Sequence, residues 1–229
     1  MHEKCVTKSD FYISEIDKKT ANEIVKLYHY IHKRPNNVKS FGLFRKEDNE
    51  LVGVCIYGVP ASQQLCKGIC GDEYRKDVLE LCRLWVKDDI GKNAESFLVG
   101  NTLKLINAKI IISYADASVG HTGYIYQATN FLYTGLSEKH KDLVIKGKGN
   151  IHTRHMIGKY KSFEEAKQNE EWYYVQRARK HRYVYFNSSK KENKKLKSPL
   201  KYKIEKYPKA TSSVVKTDET IYVDNLNEW

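Results

Sequence analysis

Three residues with chemistry fall close together: Asp116 ends the apolar run Ile110-Ile111-Ile112-Ser113-Tyr114-Ala115, His121 follows among glycines, and Tyr126 comes five residues later. Side chains at the carboxyl ends of strands in open α/β sheets project into the crevice between the following loops. Asp116 therefore reads as a functional carboxylate, able to accept a proton or bind a cation. Capping its own loop is the other role open to it, and His121 serves equally well as a structural hydrogen-bonder. A second constellation is the apolar run 78–86, the turn Lys87 to Asn93 and a helix from Ala94. Backbone N–H groups at Gly91, Lys92, Asn93 and Ala94 would cradle an anion such as pyrophosphate at the helix N-terminus, although an ordinary strand-to-helix connection looks the same. The third constellation sets cations among rings: Arg154, His155, Lys159, Lys161, Tyr173, Tyr174, Arg177, Arg179, Lys180, Arg182, Tyr183 and Tyr185. Cations hold phosphates while rings stack on an unstacked base; for Tyr183 and Tyr185 the alternative is simple alternation across a strand.

The elements that must position these residues follow from periodicity. A helical pattern over 17–33 closes at Arg34-Pro35. Phe41 to Arg45 and Leu51 to Val59 form a hairpin, and 78–86 reads as a buried central strand. A helix over 94–106, a strand over 110–115, a short helix over 123–129 and a strand over 131–135 come next. Ser162 with Glu165 makes a capping-box helix start, and Arg182 to Phe186 looks like a final strand. This order predicts an α/β fold, a mixed central sheet flanked by helices. We expect a catalytic core over 1–150, a basic aromatic part of the same domain over 151–187, and a weakly ordered Lys-rich extension over 188–229 that docks through Tyr202, Tyr207 and Pro208.

Charge sharpens the reading. The formal net charge is +12, and residues 139–209 hold 21 Lys/Arg against 7 Asp/Glu while the remainder holds 19 against 21. The whole surplus lies in one segment, the electrostatic footprint of a nucleic-acid binder; over 188–209 a solvated tail is an equal alternative. No run of eighteen apolar residues exists, and Met1-His2-Glu3-Lys4 lacks signal-peptide order, so residence in the producer's cytosol is expected. Five cysteines, an odd number, fit reduced thiols. Cys66 and Cys70 have finger-like spacing but no second pair of ligands follows, which argues against zinc.

Two resemblances carry the residues further. Helix, hairpin, central strand, anion loop, helix, strand and then Tyr126-x-x-x-Asn130-Phe131 resembles the GNAT acyltransferase superfamily, in which a tyrosine four residues before Gly-Phe protonates the departing thiolate of coenzyme A. This chain has Asn130 where that superfamily usually has glycine. His29-Tyr30 before Pro35, Gly58-Val59-Pro60-Ala61-Ser62, Glu80-Leu81-Cys82-Arg83-Leu84, Glu95-Ser96-Phe97, the block from Tyr114-Ala115-Asp116 to Tyr133-Thr134-Gly135, and Arg182-Tyr183-Val184-Tyr185-Phe186 resemble the Mom family of bacteriophage DNA-modification proteins. That resemblance implies a GNAT-like fold and conversion of adenine in DNA to N6-carbamoylmethyladenine, protecting phage DNA from restriction. It implies His29, Tyr30, Ser96, Asp116 and Tyr126 around the reactive centre, with Asp116 or His29 as base, Tyr126 as acid and Ser96 binding the donor. The donor implied is acetyl-CoA or a glycine-derived group, and iron is a further implied requirement, with His29, Asp116 and His121 as candidate ligands. The partner is double-stranded or locally opened DNA. Rival readings are an N-acyltransferase acting on a small molecule or protein, and a catalytically inactive DNA-binding counter-defence protein.

Overall fold

Phe11–Ile16 (β1) is an edge strand that buries Phe11 and pairs antiparallel to Lys39–Arg45 (β2), which turns into Leu51–Gly58 (β3) through a polar loop where Asn49 takes a left-handed φ of 60°. The computed structural model describes residues 5–147, 158–169, 171–209 and 222–223. β3 runs antiparallel to Val78–Val86 (β4), and β4 parallel to Ile110–Asp116 (β5). Leu132–Leu136 (β6), His140–Ile145 (β7), Trp172–Arg177 (β8), Lys180–Phe186 (β9) and Tyr222–Val223 (β10) complete a seven-stranded sheet, β1-β2-β3-β4-β5-β9-β6, and a three-stranded one, β10-β8-β7. The helices are Lys18–Tyr28 (α1), Gln63–Cys70 (α2), Ala94–Thr102 (α3), Tyr124–Ala128 (α4), Phe163–Asn169 (α5) and Lys190–Lys197 (α6). The fold is thus mixed α/β with a large central sheet flanked by helices.

The chain divides into two compact units. The first runs to Tyr114 and takes in Gly123–Gly135 and Arg182–Pro208; the second takes in Ala115–Thr122, Leu136–His181 and the chain from Lys209. In the first unit, Ala21 and Val25 of α1 bury against Val54 and Ile56. Cys66, Ile69 and Cys70 of α2 pack with Val78, Ile110, Ile112, Val184, Phe186 and Leu196. Near-continuous apolar runs are what a sheet covered on both faces requires. In the second unit Trp172 is buried and its indole N–H donates to the Ala166 carbonyl at 3.1 Å.

Several expectations change. α1 stops at Tyr28, five residues short of the predicted end, because His29 turns to extended backbone and its ring takes the Ile31 N–H at 3.1 Å. α3 ends at Thr102 and continues to Ile106 only as turns. β1, α2 and the three-stranded sheet were not anticipated from periodicity. Residues 188–209 are not a loose tail: Ser189 caps α6 by accepting from the Glu192 N–H at 3.2 Å, and Leu196 is 1% exposed. Beyond α6 the chain docks as a strap. Tyr202 covers the Arg182 guanidinium, the Glu205 N–H reaches the Tyr133 carbonyl at 2.9 Å, and the Tyr207 hydroxyl donates to the Phe131 carbonyl at 2.7 Å. Among the described residues no helix is long and apolar enough to cross a membrane.

Candidate active site

The site begins where two parallel strands part. The β4–β5 ladder joins Val78, Leu79 and Glu80 to Ile110, Ile111 and Ile112, whereas β4 itself runs on to Val86 paired with β3. Past the last pair, fully buried Ser113 closes the gap by donating its hydroxyl to the Leu81 carbonyl at 3.0 Å. Tyr126 of α4 hydrogen-bonds Ser113. Burial pushes the Tyr126 phenol well above the usual tyrosine range, against which the Ser113 bond pulls, and the neighbouring Cys55, Tyr30 and Glu80 raise it further. A phenol held neutral to high pH is a weak acid that gives up its proton readily only to an atom more basic than a thiolate, such as a departing alkoxide.

Glu80 is the acid that sequence reasoning missed. It lies at the last ladder position of β4, and its charge is felt by Tyr126, Tyr114, Cys66 and Cys82. The available signal was its position as the one acid of the run 78–86, in which Arg83 is the other charged residue. Burial, then Glu80, pushes the Cys82 thiol up to about 12. Its Sγ donates to the Glu80 carbonyl at 3.3 Å, so Cys82 is a neutral hydrogen-bonded thiol and a poor nucleophile.

Two left-handed residues aim α4. Gly123 precedes it at φ 79°, and a Cβ there would lie 2.3 Å from the Tyr183 ring. Asn130 follows at φ 64°, adopting the conformation that a glycine would supply at that position. Between them Tyr126 packs on Phe131 and Tyr183 with ring centroids 5.4 and 5.3 Å apart. Gln127 donates to the Tyr183 hydroxyl at 3.1 Å and the Pro208 carbonyl at 3.3 Å.

The first unit also holds His29, Tyr30 and the anion loop. His29 is buried; its Nδ1 accepts from Ile31, which leaves the proton of a neutral ring on Nε2, and it stacks on exposed Tyr30 at 4.5 Å. In the loop, Gly91 and Asn93 have φ of 131° and 64°, and the Lys92 carbonyl accepts from Val6 at 3.1 Å. The Asn93 side chain does not cap α3; its amide faces the Cys5 sulfur at 3.6 Å. The helix therefore starts at Ala94 without a side-chain cap, beside the exposed ammonium of Lys92. The Ser96 hydroxyl donates to the Asn93 carbonyl at 3.1 Å.

In the second unit the Asp116 carboxylate accepts from the Ser118 N–H at 2.9 Å and the Ser118 hydroxyl at 2.6 Å, capping the turn Ala117–Val119. The capping role left open by the sequence is the one seen. His121, exposed, sends its backbone N–H to the Asp116 carbonyl at 3.1 Å. Among the described residues no group of three His, Cys, Asp or Glu side chains is placed to hold a metal. Of the candidate iron ligands, His29 belongs to the first unit and Asp116 and His121 to the second.

The basic set is reshaped. Arg182 is a correction: it is 8% exposed, its guanidinium donates to the Thr134 hydroxyl and carbonyl, both at 3.0 Å, and it lies 3.5 Å from the Tyr202 ring centroid. Those contacts tie β9 to β6 and the strap, and a buried guanidinium cannot meet a phosphate. Tyr183 is likewise fully buried and unavailable to a base. Arg179 is half-buried, with Nε donating to the Ser137 carbonyl at 2.6 Å. Lys159, Lys161 and Lys180 are exposed and Arg177 lies on β8, whereas Arg154 and His155 lie outside the described residues.

The profile of the Mom protein family matches residues 10–209. The chain belongs to the Mom protein family. A Mom relative from Escherichia phage Mu, methylcarbamoylase mom, is 27% identical over 199 residues, covering 82% of this chain and 80% of that protein. Among solved structures, spermidine N-acetyltransferase from Vibrio cholerae is 11% identical with a TM-score of 0.45, covering 79% of this chain and 96% of its own. Ribosomal-protein-S5-alanine acetyltransferase from Vibrio fischeri is 11% identical with a TM-score of 0.46, covering 80% and 97%. In this Mom chain Tyr126, Glu80, Ser113 and Tyr30 are the groups that the first unit gathers around the parting of β4 and β5.

Proposed function

We propose that this Mom protein is a transferase that converts adenine in DNA to its N6-carbamoylmethyl form and so shields that DNA from restriction. The observation that carries the reading is family membership over residues 10–209, with a relative named methylcarbamoylase. The desolvated Tyr126 phenol at the strand divergence supports it.

The exocyclic amine of adenine is a weak nucleophile because its lone pair is drawn into the ring. Attack on an activated carbon requires loss of a proton from N6 and protonation of the leaving atom. Glu80, whose charge reaches Tyr126, is the carboxylate suited to accept the first proton, and the Tyr126 O–H supplies the second to the leaving atom. The uncapped start of α3 with Lys92 fits the phosphates of a nucleotide-bearing donor. Acyl transfer from a coenzyme A ester would leave an amide on N6, so the carbamoylmethyl product requires a donor whose methylene carbon bears the leaving atom and which already carries the amide nitrogen. The amine lies within the duplex stack, so the base must leave it, at a cost of a few kcal/mol that phosphate contacts offset.

Expression of the full chain in bacteria, digestion of total DNA to nucleosides and mass analysis tests the reading. An adenosine adduct of the carbamoylmethyl mass is expected. Unmodified adenosine throughout, with the protein folded and abundant, would overturn it.

A further inference from the structure

We infer that the lysine-covered face of α6 is a phosphate-binding surface for the DNA backbone, an inference that rests on the DNA reading above. A helix advancing about 100° per residue places Lys190, Lys191, Lys194, Lys195 and Lys197 within an arc of about 160°. Glu192, Asn193 and Leu196 fall on the other side. The structure keeps this division. All five lysines are exposed, while Leu196 is buried in the core cluster and the Cys70 thiol donates to its carbonyl at 3.5 Å.

Three observations separate this face from a solvated charge run. The helix is built against its own electrostatics, since Lys190 and Lys194, and Lys191 and Lys195, stand four residues apart and repel. It forms because Ser189 caps it and Leu196 anchors it, so the lysines sit on a fixed scaffold rather than a free tail. Second, the helix sets a single acid against its five lysines. Glu192, the acid of the helix, bonds the Ser188 hydroxyl and pairs with Lys109 at 3.1 Å, and among the described residues none of the five lysines has an ion pair. Third, the helix keeps no apolar residue for a bilayer, because Leu196 is buried; an interfacial membrane helix needs an exposed apolar face. Lys201, Lys203 and Lys206 of the strap, all exposed, extend the same positive character along the chain.

Eight residues of helix span about 12 Å, the axial length of about three phosphates on one DNA strand. Each phosphate neutralised contributes about 0.9 to the slope of log affinity against log salt.

The test measures binding of the full chain to a labelled duplex as a function of NaCl. A Lys191→Gln, Lys194→Gln, Lys195→Gln variant is compared with the matching triple Arg variant. Glutamine preserves helix propensity, and removing like-charge repulsion should leave the melting temperature unchanged or higher. The expected result is a slope smaller by about two to three in the Gln variant, with affinity at 0.15 M salt lowered more than about tenfold, and a wild-type slope in the Arg variant. A wild-type slope in the folded Gln variant overturns this inference and leaves the DNA reading standing, since the nucleoside adduct would persist. A wild-type chain that neither binds duplex nor forms adduct overturns both. Tighter retention of the wild type on phosphatidylserine vesicles than on duplex overturns the inference in favour of a membrane surface.

Discussion

Tyr126 hydrogen-bonds Ser113, and Ser113 donates to the Leu81 carbonyl. Tyr126→Phe therefore removes one hydrogen bond while the Ser113–Leu81 bond survives. The expected result is adduct formation slowed by about 10²–10⁴-fold with a stability change of about 1 kcal/mol or less, read by time-resolved nucleoside analysis beside urea denaturation. A variant that modifies DNA at the wild-type rate would remove Tyr126 from the chemistry. Asn130 makes a backbone prediction. Its left-handed φ means that Asn130→Gly should fold as well as the parent, whereas Asn130→Ala should cost about 1–2 kcal/mol, measured by urea denaturation. Tyr126 was legible in the sequence because a phenol one turn before Asn-Phe stands out. Glu80 was not, because an apolar run announces a strand and says nothing of what faces its one acid.

At the scale of elements, the five-residue α4 has too few bonds of its own to hold Tyr126 steady. It is aimed by Gly123 at one end and by the rings of Phe131 and Tyr183. Gly123→Ala would drive a methyl group into Tyr183 at a positive φ, so α4 must shift. We expect destabilisation of about 2–3 kcal/mol, together with an activity loss at saturating DNA larger than that of the similarly destabilised Leu196→Ala, which strikes the anchor of α6 rather than the rings that pack on Tyr126. Leu196→Ala should cost about 2–4 kcal/mol through the lost anchor of α6. Thermal melts and adduct yields measured together check both; equal activity losses would count against a positioning role for Gly123. The hairpin, the central strands and α3 were readable from periodicity. β1 and α2 were not, because β1 runs its apolar residues Phe11, Tyr12 and Ile13 together without alternation and α2 is short and broken by Gly68, and tertiary packing supplies what propensity lacks.

For the whole molecule, buried thiols and phenols set the alkaline limit. Burial pushes Cys55 and Cys82 up to about 12, Cys70 to about 11 and Tyr183 to about 12, and it raises Tyr57, Tyr114 and Tyr126. In the unfolded chain these groups lose protons at their ordinary values, about 8.5 for thiols and about 10 for phenols. The unfolded state then binds fewer protons, so stability falls as pH rises. The melting temperature should be nearly independent of these groups below about pH 8 and should drop progressively between about pH 9 and 11. A flat profile across that range would show that these side chains reach solvent in the native protein.

Residue chemistry, most local elements and the confinement of positive charge to one segment follow from the sequence itself, because they depend on neighbours a few positions apart. Whether a given arginine meets solvent depends on what folds over it: Arg182 and Lys195 look alike in the chain, yet one is enclosed by Thr134 and Tyr202 while the other stands on an open helix face. The same holds for Glu80 and Tyr126, which are 46 residues apart in sequence and are drawn together by the register of β4 on β5 and the aim of α4. Only tertiary structure decides such encounters, since strand register and burial are properties of the packed sheet and not of any short stretch of chain.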